Sequence, residues 1–446
     1  MSRPIAACLL AAALAASPAL AQEEGLSDEE LFGGGTEIVT EAAAGSPPLP
    51  GAPGVGTTGN DAAGSLLRSE SVKIGGTFSM SLEGTGNPDA WGSNPLEYLA
   101  PSVLLGTDLF ADARPDDNFR VFVKGSLEYP AGGEAELELK EAFADFMPAE
   151  GVFVRAGKQT ANWGVGAFFS PANLLDLAPI DPEDPEAELP GPLAVKVQVP
   201  AGTTNWYAYA LLEDAASGGS LALAPKVEWV LGSAEFGLGG LWADGGPWAA
   251  MATCSGKVGD LDVFAEAVLR GNEDKRFVIA DASVPSGISF ETRPDGLFPQ
   301  ATAGFLWSWD DEEGRLGVSF RAQYYYNGLG YEDASVLEEH APQVRSLVMT
   351  GVLSPDDLLQ RSRHYGAANL GFSELLGSDA GASLFWIGNF ADASGRVKTT
   401  ATWAGLDHAK LSAAWTWSYG VAGSEFAPAG SVSSVSLMIA LTQGTF

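Results

Sequence analysis

The sequence predicts an all-β fold: a transmembrane antiparallel β-barrel of about 18 strands, with about 16 as the alternative, and a disordered N-terminal arm. Three observations predict it. The chain begins like an exported protein, its apolar residues occur in many short alternating segments, and its aromatic residues gather at the ends of those segments. Although 46% of the residues are hydrophobic, no segment after the leader approaches the roughly 18 consecutive apolar residues of a membrane-spanning helix.

The first 21 residues have the pattern of a secretory signal peptide. Met1-Ser2-Arg3 carries a positive charge, an apolar run follows from Ile5 to Ala16, and Ala19-Leu20-Ala21 is a small-residue cleavage site. Such a leader is removed on export. We therefore expect residues 1–21 to be absent from the mature protein.

Residues 22–66 are rich in Gly, Ala, Pro and acidic residues. Because this composition buries little apolar surface, it predicts a disordered arm, which export places in the periplasm. Leu31-Phe32 lies within an acidic stretch of the arm. It is either a docking peptide for a periplasmic partner or part of an ordinary solvated linker.

From residue 67 to residue 446 we expect the barrel, because period-two alternation begins at Val72. Alternation puts apolar and polar side chains on opposite faces of a strand. In the first strand the apolar face consists of Val72, Ile74, Phe78, Met80 and Leu82. Further strands are predicted to begin near Pro101, Phe119, Leu137, Val152, Leu193, Trp206, Leu223, Ala234, Trp248, Leu261, Ala301, Leu316, Ala367, Leu384, Val397, Leu411 and Val432.

A soluble β-sandwich also alternates, so the position of the aromatic residues helps to decide. Trp307 and Trp309, Tyr324-Tyr325-Tyr326, and Trp415 with Trp417 all stand near segment ends. This placement is typical of the aromatic girdles at the two membrane interfaces of a barrel. Short turns also alternate with long polar connections, which favours the barrel.

The C-terminal segment, Val435 to Phe446, is the last predicted strand and resembles the end of bacterial outer-membrane barrels. In that class the barrel-assembly machinery reads the terminal aromatic residue, and the resemblance implies that role for Phe446. Leu437, Ile439 and Leu441 share one face, whereas Phe446 has the opposite parity. A bulge or a short unpaired tail is therefore expected.

Charge and residue counts exclude several classes of function. The formal net charge of -33 excludes nucleic acid as a partner, since that needs basic patches. In a pore it favours cations or neutral solutes over anions.

Only Cys254 remains after the leader, so no intramolecular disulfide can form. His340, His364 and His408 lack zinc spacing, and the sequence indicates no catalytic residue, metal or cofactor.

The most distinctive passage runs from Arg155-Ala156-Gly157-Lys158-Gln159 through Trp163-Gly164 to Ser170-Pro171-Ala172-Asn173. A charged, proline-rich stretch follows from Ile180 to Glu188. Here the chain resembles porin-like outer-membrane barrels related to the alginate-export proteins. The resemblance covers about residues 150 to 200 by motif, and Ala172 departs from the family's Pro-Asn or Pro-Asp turn. It implies passive or facilitated passage of small solutes.

Alternation around Arg155 predicts which side chains enter the lumen. Arg155 and Gln159 share the face opposite Val152, Val154 and Ala156, and Gly157 lets a loop approach the wall closely. The acidic residues of the following loop are Asp181, Glu183, Asp184, Glu186 and Glu188. If this loop (the predicted long loop near 171–192) folds inward, it forms a charged constriction. The alternative is an exposed, solvated surface loop.

The second long loop is an insertion near 331–365, and structured loops of this length are usually functional. Ser354-Pro355-Asp356-Asp357 predicts a helix start, and Val336 to Val352 predicts a weaker helical stretch. Arg361, Arg363 and His364 follow and are candidates for a cap or plug. A surface excursion is the alternative.

The resemblance and the barrel pattern together predict a porin or solute-specific channel with a lumen of mixed charge biased acidic. The alternative is a non-conducting surface adhesin or structural outer-membrane protein. A barrel enzyme is a third reading with little support. The expected surroundings are outer-membrane lipid, a lipopolysaccharide-type surface and small solutes.

Overall fold

The computed structural model describes residues 72–86, 100–116, 118–175, 182–183, 190–212, 221–311, 313–406 and 408–445. The predicted leader and arm lie outside these ranges, as do Leu31-Phe32 and Phe446. Among the described residues, no helix is long and apolar enough to cross a membrane.

The architecture is a closed antiparallel barrel of 18 strands, as the alternation predicts. The first half consists of β1 (Val72–Gly86), β2 (Ala100–Asp116), β3 (Phe119–Pro130), β4 (Glu136–Ala149), β5 (Val152–Lys158), β6 (Leu193–Ala201), β7 (Thr204–Leu211), β8 (Ala222–Leu231) and β9 (Ala234–Ala243). The second half consists of β10 (Trp248–Val258), β11 (Leu261–Gly271), β14 (Leu297–Asp310), β15 (Gly317–Asn327), β16 (His364–Ser373), β17 (Ala380–Asn389), β18 (Ser394–Leu406), β19 (Ala409–Tyr419) and β20 (Val432–Thr445). The barrel closes because β1 pairs with both β2 and β20. The extra hairpin of β12 (Arg276–Ala280) and β13 (Ile288–Thr292) forms a separate two-stranded sheet and was not predicted.

The outer face of the barrel is apolar and the inner face is polar. In β1, Phe78, Met80 and Leu82 are exposed on the outside. Large aromatic side chains stand on the outside near the two ends of the strands: Trp206, Trp309 and Trp403 at one end, and Trp242, Tyr324 and Trp417 at the other. These two groups have the placement predicted for aromatic girdles.

The two ends of the barrel differ in the length of their connections. At the short-turn end, strands are joined by tight turns such as residues 202–203, 232–233 and 259–260. The long-loop end carries the connections 159–192, 272–296 and 328–363. Val72 and Thr445 both lie at the short-turn end, because the number of barrel strands is even.

The last strand, β20, contains a β-bulge, as the opposite parity of Leu441 and Phe446 predicts. Its register with β1 shifts between Phe78, which pairs with Leu441, and Gly76, which pairs with Gly444. One extra residue on β20 is therefore a β-bulge, and it reverses the parity of the strand beyond Leu441. This confirms the expectation of a bulge.

The long-loop end carries a small folded unit, the outer cap, formed by residues 272–296 and 328–363. It contains the β12–β13 hairpin, α1 (Ser335–Glu339) and α2 (Ala341–Met349). Phe277, Ile288, Leu337, Val344 and Leu353 are buried in its apolar cluster. The two helices confirm the helical stretch predicted between Val336 and Val352.

The helix predicted to start at Ser354 is wrong: the segment forms only a 3-10 turn, Pro355–Leu358. The backbone amide of Ser354 donates to Asp357 Oδ2 at 3.1 Å, which is a hydrogen bond typical of a helix N-terminus. The turn stops because Gln360 adopts a left-handed backbone conformation, with φ of 45°, and directs the chain back to β16.

Candidate functional site: an inward segment held by the barrel wall

The first half of the connection between β5 and β6, residues 159–175, packs against the inside of the barrel; we name it the inward segment. Its side chains Ala161, Trp163, Phe168, Phe169 and Ala172 are buried. They pack on wall residues such as Tyr209, Tyr325 and Phe385. Residues 159–175 therefore fold into the lumen instead of extending away from the long-loop end.

Glu266 of β11 is the main anchor of the inward segment. Its Oε1 accepts hydrogen bonds from the amides of Val165 (2.6 Å) and Gly166 (2.5 Å) and from Ser170 Oγ (2.9 Å). Its Oε2 accepts from the amide of Ala172 at 2.9 Å. Glu266 is only 3% exposed, and burial of a carboxylate without hydrogen-bond donors is strongly unfavourable. The four donors offset this desolvation cost.

Gln323 of β15 holds the next turn of the inward segment. Its Oε1 accepts from the amides of Ala167 (3.1 Å) and Phe168 (2.7 Å). Its Nε2 donates to the carbonyl of Phe169 at 2.5 Å and to Thr302 Oγ1 at 2.6 Å. One amide side chain thus satisfies backbone donors and an acceptor that would otherwise be buried without partners.

Two further contacts fix the start of the inward segment. Asn173 Oδ1 accepts from the amides of Trp163 (2.8 Å) and Gly164 (2.6 Å), which closes the segment on itself. Lys226 Nζ of β8 donates to the carbonyl of Trp163 at 3.0 Å. Gly164 is required here, because a Cβ atom would lie 1.6 Å from Ser170 Oγ.

These anchors follow the inside of the wall from β5, past β8 and β11, to β15. The inward segment carries no charged residue between Gln159 and Leu175. Its exposed residue Asn162 lies between Ala161 and Trp163, which are both buried. Asn162 therefore points away from the wall, into the remaining passage.

Arg155, a predicted lumen residue, lies on the inner face but is fully paired there. Its Nε donates to Asp145 Oδ1 at 2.6 Å and its Nη2 to Asp145 Oδ2 at 3.1 Å. Its guanidinium also stacks 3.9 Å from the ring centroid of Phe143. The positive charge of Arg155 is thus neutralised by Asp145 within the barrel wall.

The other residues of the predicted motif terminate β5. Gln159 is buried, and its Nε2 donates to the carbonyl of Ala194 at 3.1 Å. Gly157 has a φ of 138°, and a Cβ there would lie 2.1 Å from the carbonyl oxygen of Ala142. The close approach at Gly157 is therefore that of the neighbouring strand β4. Lys158 is the last residue of β5.

The acidic proline-rich loop is described only at residues 182–183. Glu183 forms ion pairs with Arg396 and with Lys398, the latter at 3.6 Å between Oε2 and Nζ. Both cations belong to β18 and lie on the inner face, so this one acid is inside the barrel. Asp181, Asp184, Glu186 and Glu188 lie outside the described residues.

The candidates in the insertion take different positions. Arg361 Nη2 donates to Glu338 Oε1 (3.2 Å), Asp392 Oδ2 (3.2 Å) and the carbonyl of Gly423 (2.9 Å), so it joins the outer cap to the loops that follow β17 and β19. Burial raises the pKa of Asp392, but hydrogen bonds from Ser394, Glu425 and Arg361 outweigh it and hold that pKa below its usual value.

The remaining two candidates of the insertion lie nearer the surface. Arg363 binds Glu332, with 3.2 Å between Nη1 and Oε2, and the carbonyl of Gly330. His364 Nδ1 lies 2.6 Å from the hydroxyl of Tyr324 at the exposed start of β16. Among the residues that the structure describes, no group of three or more His, Cys, Asp or Glu side chains is placed to hold a metal ion.

Sequence reasoning missed Glu266, Gln323 and Lys226, the residues that hold the inward segment. The signal available for one of them was a charged side chain whose two nearest neighbours on the same face of the strand are apolar. Glu266, between Phe264 and Val268 on one face of β11, has that pattern. The partner loop is about 100 residues away in the sequence, and spacing alone does not identify it.

The fold and the inward segment define a class: a closed barrel of 18 strands with a loop that narrows its interior. No family model matches the sequence, and no curated protein matches it. Among solved structures, the chain is similar to OccAB1 of Acinetobacter baumannii, with a TM-score of 0.50, 11% identity, and coverage of 84% of this chain and 97% of that one. At this identity the likeness shows the fold.

Two further solved structures are similar. The outer membrane protein OpdK of Pseudomonas aeruginosa has a TM-score of 0.49 and 9% identity over 84% of this chain and 99% of that one. A BenF-like porin of Pseudomonas fluorescens Pf-5 has a TM-score of 0.49 and 10% identity, with the same coverage of both chains.

Proposed function

We propose that this chain is a channel of the bacterial outer membrane that lets small solutes pass without an energy source, and that the inward segment forms its constriction. The observation that carries the proposal is the anchoring of residues 159–175 by Glu266 and Gln323 on the inside of a closed barrel. A loop that is fixed inside a barrel by buried hydrogen bonds narrows the passage, and solvent does not compete for the contacts that hold it.

The outer membrane is the expected location because the outside of the barrel is apolar and carries aromatic residues near both ends. The short-turn end then faces the periplasm. The arm of residues 22–66 joins β1 at that end, after removal of residues 1–21, and Phe446 directs assembly. The motif around Gly157 and Trp163 supports a relation to porin-like alginate-export barrels as part of this proposal.

Selectivity is proposed to depend on the charges beside the inward segment. Glu183 neutralises part of the positive charge of Arg396 and Lys398, and the net charge of the chain is -33. A lumen of mixed charge with an acidic bias favours cations and neutral solutes over anions.

The test is single-channel recording of the refolded mature barrel in a planar bilayer under a salt gradient. We expect stable current steps and a reversal potential on the cation side. A barrel that is folded and heat-resistant but never conducts would overturn the channel proposal.

The outer cap favours a second candidate, a barrel whose function lies in its surface loops. Connections from β15, β17 and β19 meet around Arg361, which gives the long-loop end a defined surface. Removal of residues 333–358, with a Gly-Ser link in their place, separates the two candidates. If the protein is a channel, the variant should keep the single-channel conductance of the wild type. If its function lies in its surface loops, the variant should lose attachment to cells or matrix, and neither the variant nor the wild type should conduct.

A further inference from the structure

The inner wall contains a second feature, nearer the short-turn end than the inward segment. A cleft of about 310 Å³ lies on five neighbouring strands, β14 to β18. Its volume is within the range of small-molecule sites. Six hydroxyl side chains line it: Ser308, Ser319, Ser373, Ser383, Thr400 and Thr402.

The hydroxyl groups form a row because the strands are in register. Ser308 pairs with Ser319, Ser319 with Gly371, Gly371 with Ser383, and Ser383 with Thr400. Paired residues lie on the same face of a sheet, and neighbouring strands are about 4.8 Å apart. Ser319 is four residues from Gln323 on β15, so the row lies roughly 13 Å along the strand from the inward segment.

These hydroxyl groups have unused hydrogen-bonding capacity. Within the described part of the chain, none of the six takes part in a hydrogen bond, although each is both a donor and an acceptor. The buried polar groups that hold the inward segment, Glu266 and Gln323, are all bonded. The cleft therefore offers six hydroxyl groups that have no hydrogen-bond partner among the described residues.

Glycines keep the hydroxyl groups accessible. A Cβ atom at Gly371 would lie 2.6 Å from Ser319 Oγ, and one at Gly381 would lie 2.9 Å from Thr402 Oγ1. With side chains there, the neighbouring hydroxyls would be covered.

Charge is confined to the margins of the cleft. Asp310 stands at its short-turn rim. Arg321 and Lys398 occupy the next inward positions toward the inward segment, on β15 and β18. The lining between these margins is neutral, so neutral hydroxyl-rich molecules complement it better than ions do.

We propose that this cleft binds neutral solutes that carry many hydroxyl groups, such as polyols and sugars, on the short-turn side of the inward segment. The proposal rests on the channel function proposed above and names its substrate class. Each hydroxyl offers a donor and an acceptor at strand spacing, so a chain of hydroxyls exchanges its water contacts for several protein contacts at once.

The experiment measures block of the single-channel current by sorbitol, with 1,6-hexanediol, which has the same number of carbons and two hydroxyls, as the comparison solute. The test variant is Ser319→Ala/Ser373→Ala/Ser383→Ala. The matched control, Ser79→Ala/Ser81→Ala/Ser436→Ala, removes three inward-facing hydroxyls from β1 and β20, outside the cleft. A second variant, Thr400→Val/Thr402→Val, removes two hydroxyls with little change of shape.

We expect sorbitol to interrupt the wild-type current more strongly than hexanediol does, and more readily from the short-turn side. The triple cleft variant should weaken this block about tenfold, as loss of roughly 1.4 kcal/mol of binding would, and the control should leave it unchanged. Normal current steps with equal block by both solutes, or equal block of cleft and control variants, would overturn the cleft proposal alone. Absence of any current in the folded wild-type barrel would overturn the channel function and this inference with it.

Discussion

Two parts of the inner wall carry cations in different environments. On β4 and β5, Arg155 and Asp145 are each only 2% exposed and pair with each other at 2.6 Å. On β18, Arg396 is 36% exposed and Lys398 is 28% exposed, and both contact Glu183 of a loop. The same residue types therefore serve the stability of the wall in one region and face the passage in the other.

The comparison shows why an inward-facing charge is not by itself a selectivity residue. A buried, fully paired charge cannot reach a solute without leaving its partner uncompensated, which is strongly unfavourable. A half-exposed charge held by a loop keeps its contact with water. The inward segment follows the same principle, because the wall side chains Glu266, Gln323 and Lys226 bind several of its buried backbone groups.

Release of the inward segment is expected to have the largest effect on the channel. Glu266→Leu removes the acceptor for four donors of the segment, so the segment should leave the wall and the single-channel conductance should change several-fold, with noisy steps. Glu235→Leu is the control, since it removes a carboxylate from β9 without touching the segment. Equal conductance in both variants would contradict the anchoring role.

The second largest effect is expected on stability: removal of the buried cation should destabilise the barrel more than removal of the half-exposed cation. Arg155→Met leaves the buried Asp145 with only a longer ion pair to Arg120, 3.7 Å between Oδ2 and Nη1, and should lower the free energy of unfolding by about 3 kcal/mol. Arg396→Met, at a half-exposed site, should lower it by less than about 1 kcal/mol. Urea unfolding of the barrel in lipid vesicles, followed by tryptophan fluorescence, compares them, and equal losses would refute the distinction.

Neutralisation of Glu183 should act on selectivity and leave stability nearly unchanged. Glu183→Gln removes the acid that faces Arg396 and Lys398, so the reversal potential under a salt gradient should move toward anions. Glu150→Gln, at an exposed turn of the short-turn end, is the matched control. If the two variants have the same reversal potential, Glu183 does not face the passage.

The smallest effect is expected from pH, in the loop 420–431 that Arg361 joins to the outer cap. Burial raises the pKa of Glu425 to about 7, although hydrogen bonds from Tyr365 and Asn389 and the charge of Arg361 oppose the rise. The folded loop 420–431 thus favours the protonated acid. Its packing should be most stable below the usual glutamate pKa of about 4.5 and should weaken as the pH rises through 7.

Hydrogen exchange of residues 420–431 at several pH values measures this change. Protection should fall between about pH 4.5 and pH 7 in the wild type and should stay constant in Glu425→Gln. Protection that rises with pH would contradict the direction of the shift.

The sequence predicted the parts of the fold that follow from local periodicity, and it failed where distant segments meet. Alternation predicted the 18 barrel strands, and the parity of Leu441 and Phe446 predicted a bulge that the register of β20 contains. The β12–β13 hairpin was missed because it packs on helices from a separate loop. The helix expected at Ser354 was reduced to one turn by the left-handed Gln360.

The candidate site was predicted only in outline. The motif around Trp163 and Asn173 marked the right connection, because tight backbone turns need such residues. The anchors Glu266 and Gln323 lie about 100 and 155 residues further along the chain, and only the closed barrel brings them to the loop.

The measurement that tests the central claim most directly is thiol block at Asn162, in a Cys254→Ser background. Asn162→Cys places a thiol on the passage side of the inward segment, so a charged thiol reagent should reduce the single-channel conductance in one irreversible step. The same reagent on a Gly132→Cys variant, in the loop between β3 and β4 at the long-loop end, should leave the current unchanged. Complete modification of Asn162→Cys, verified by mass, with no change of conductance would show that the inward segment does not narrow the channel.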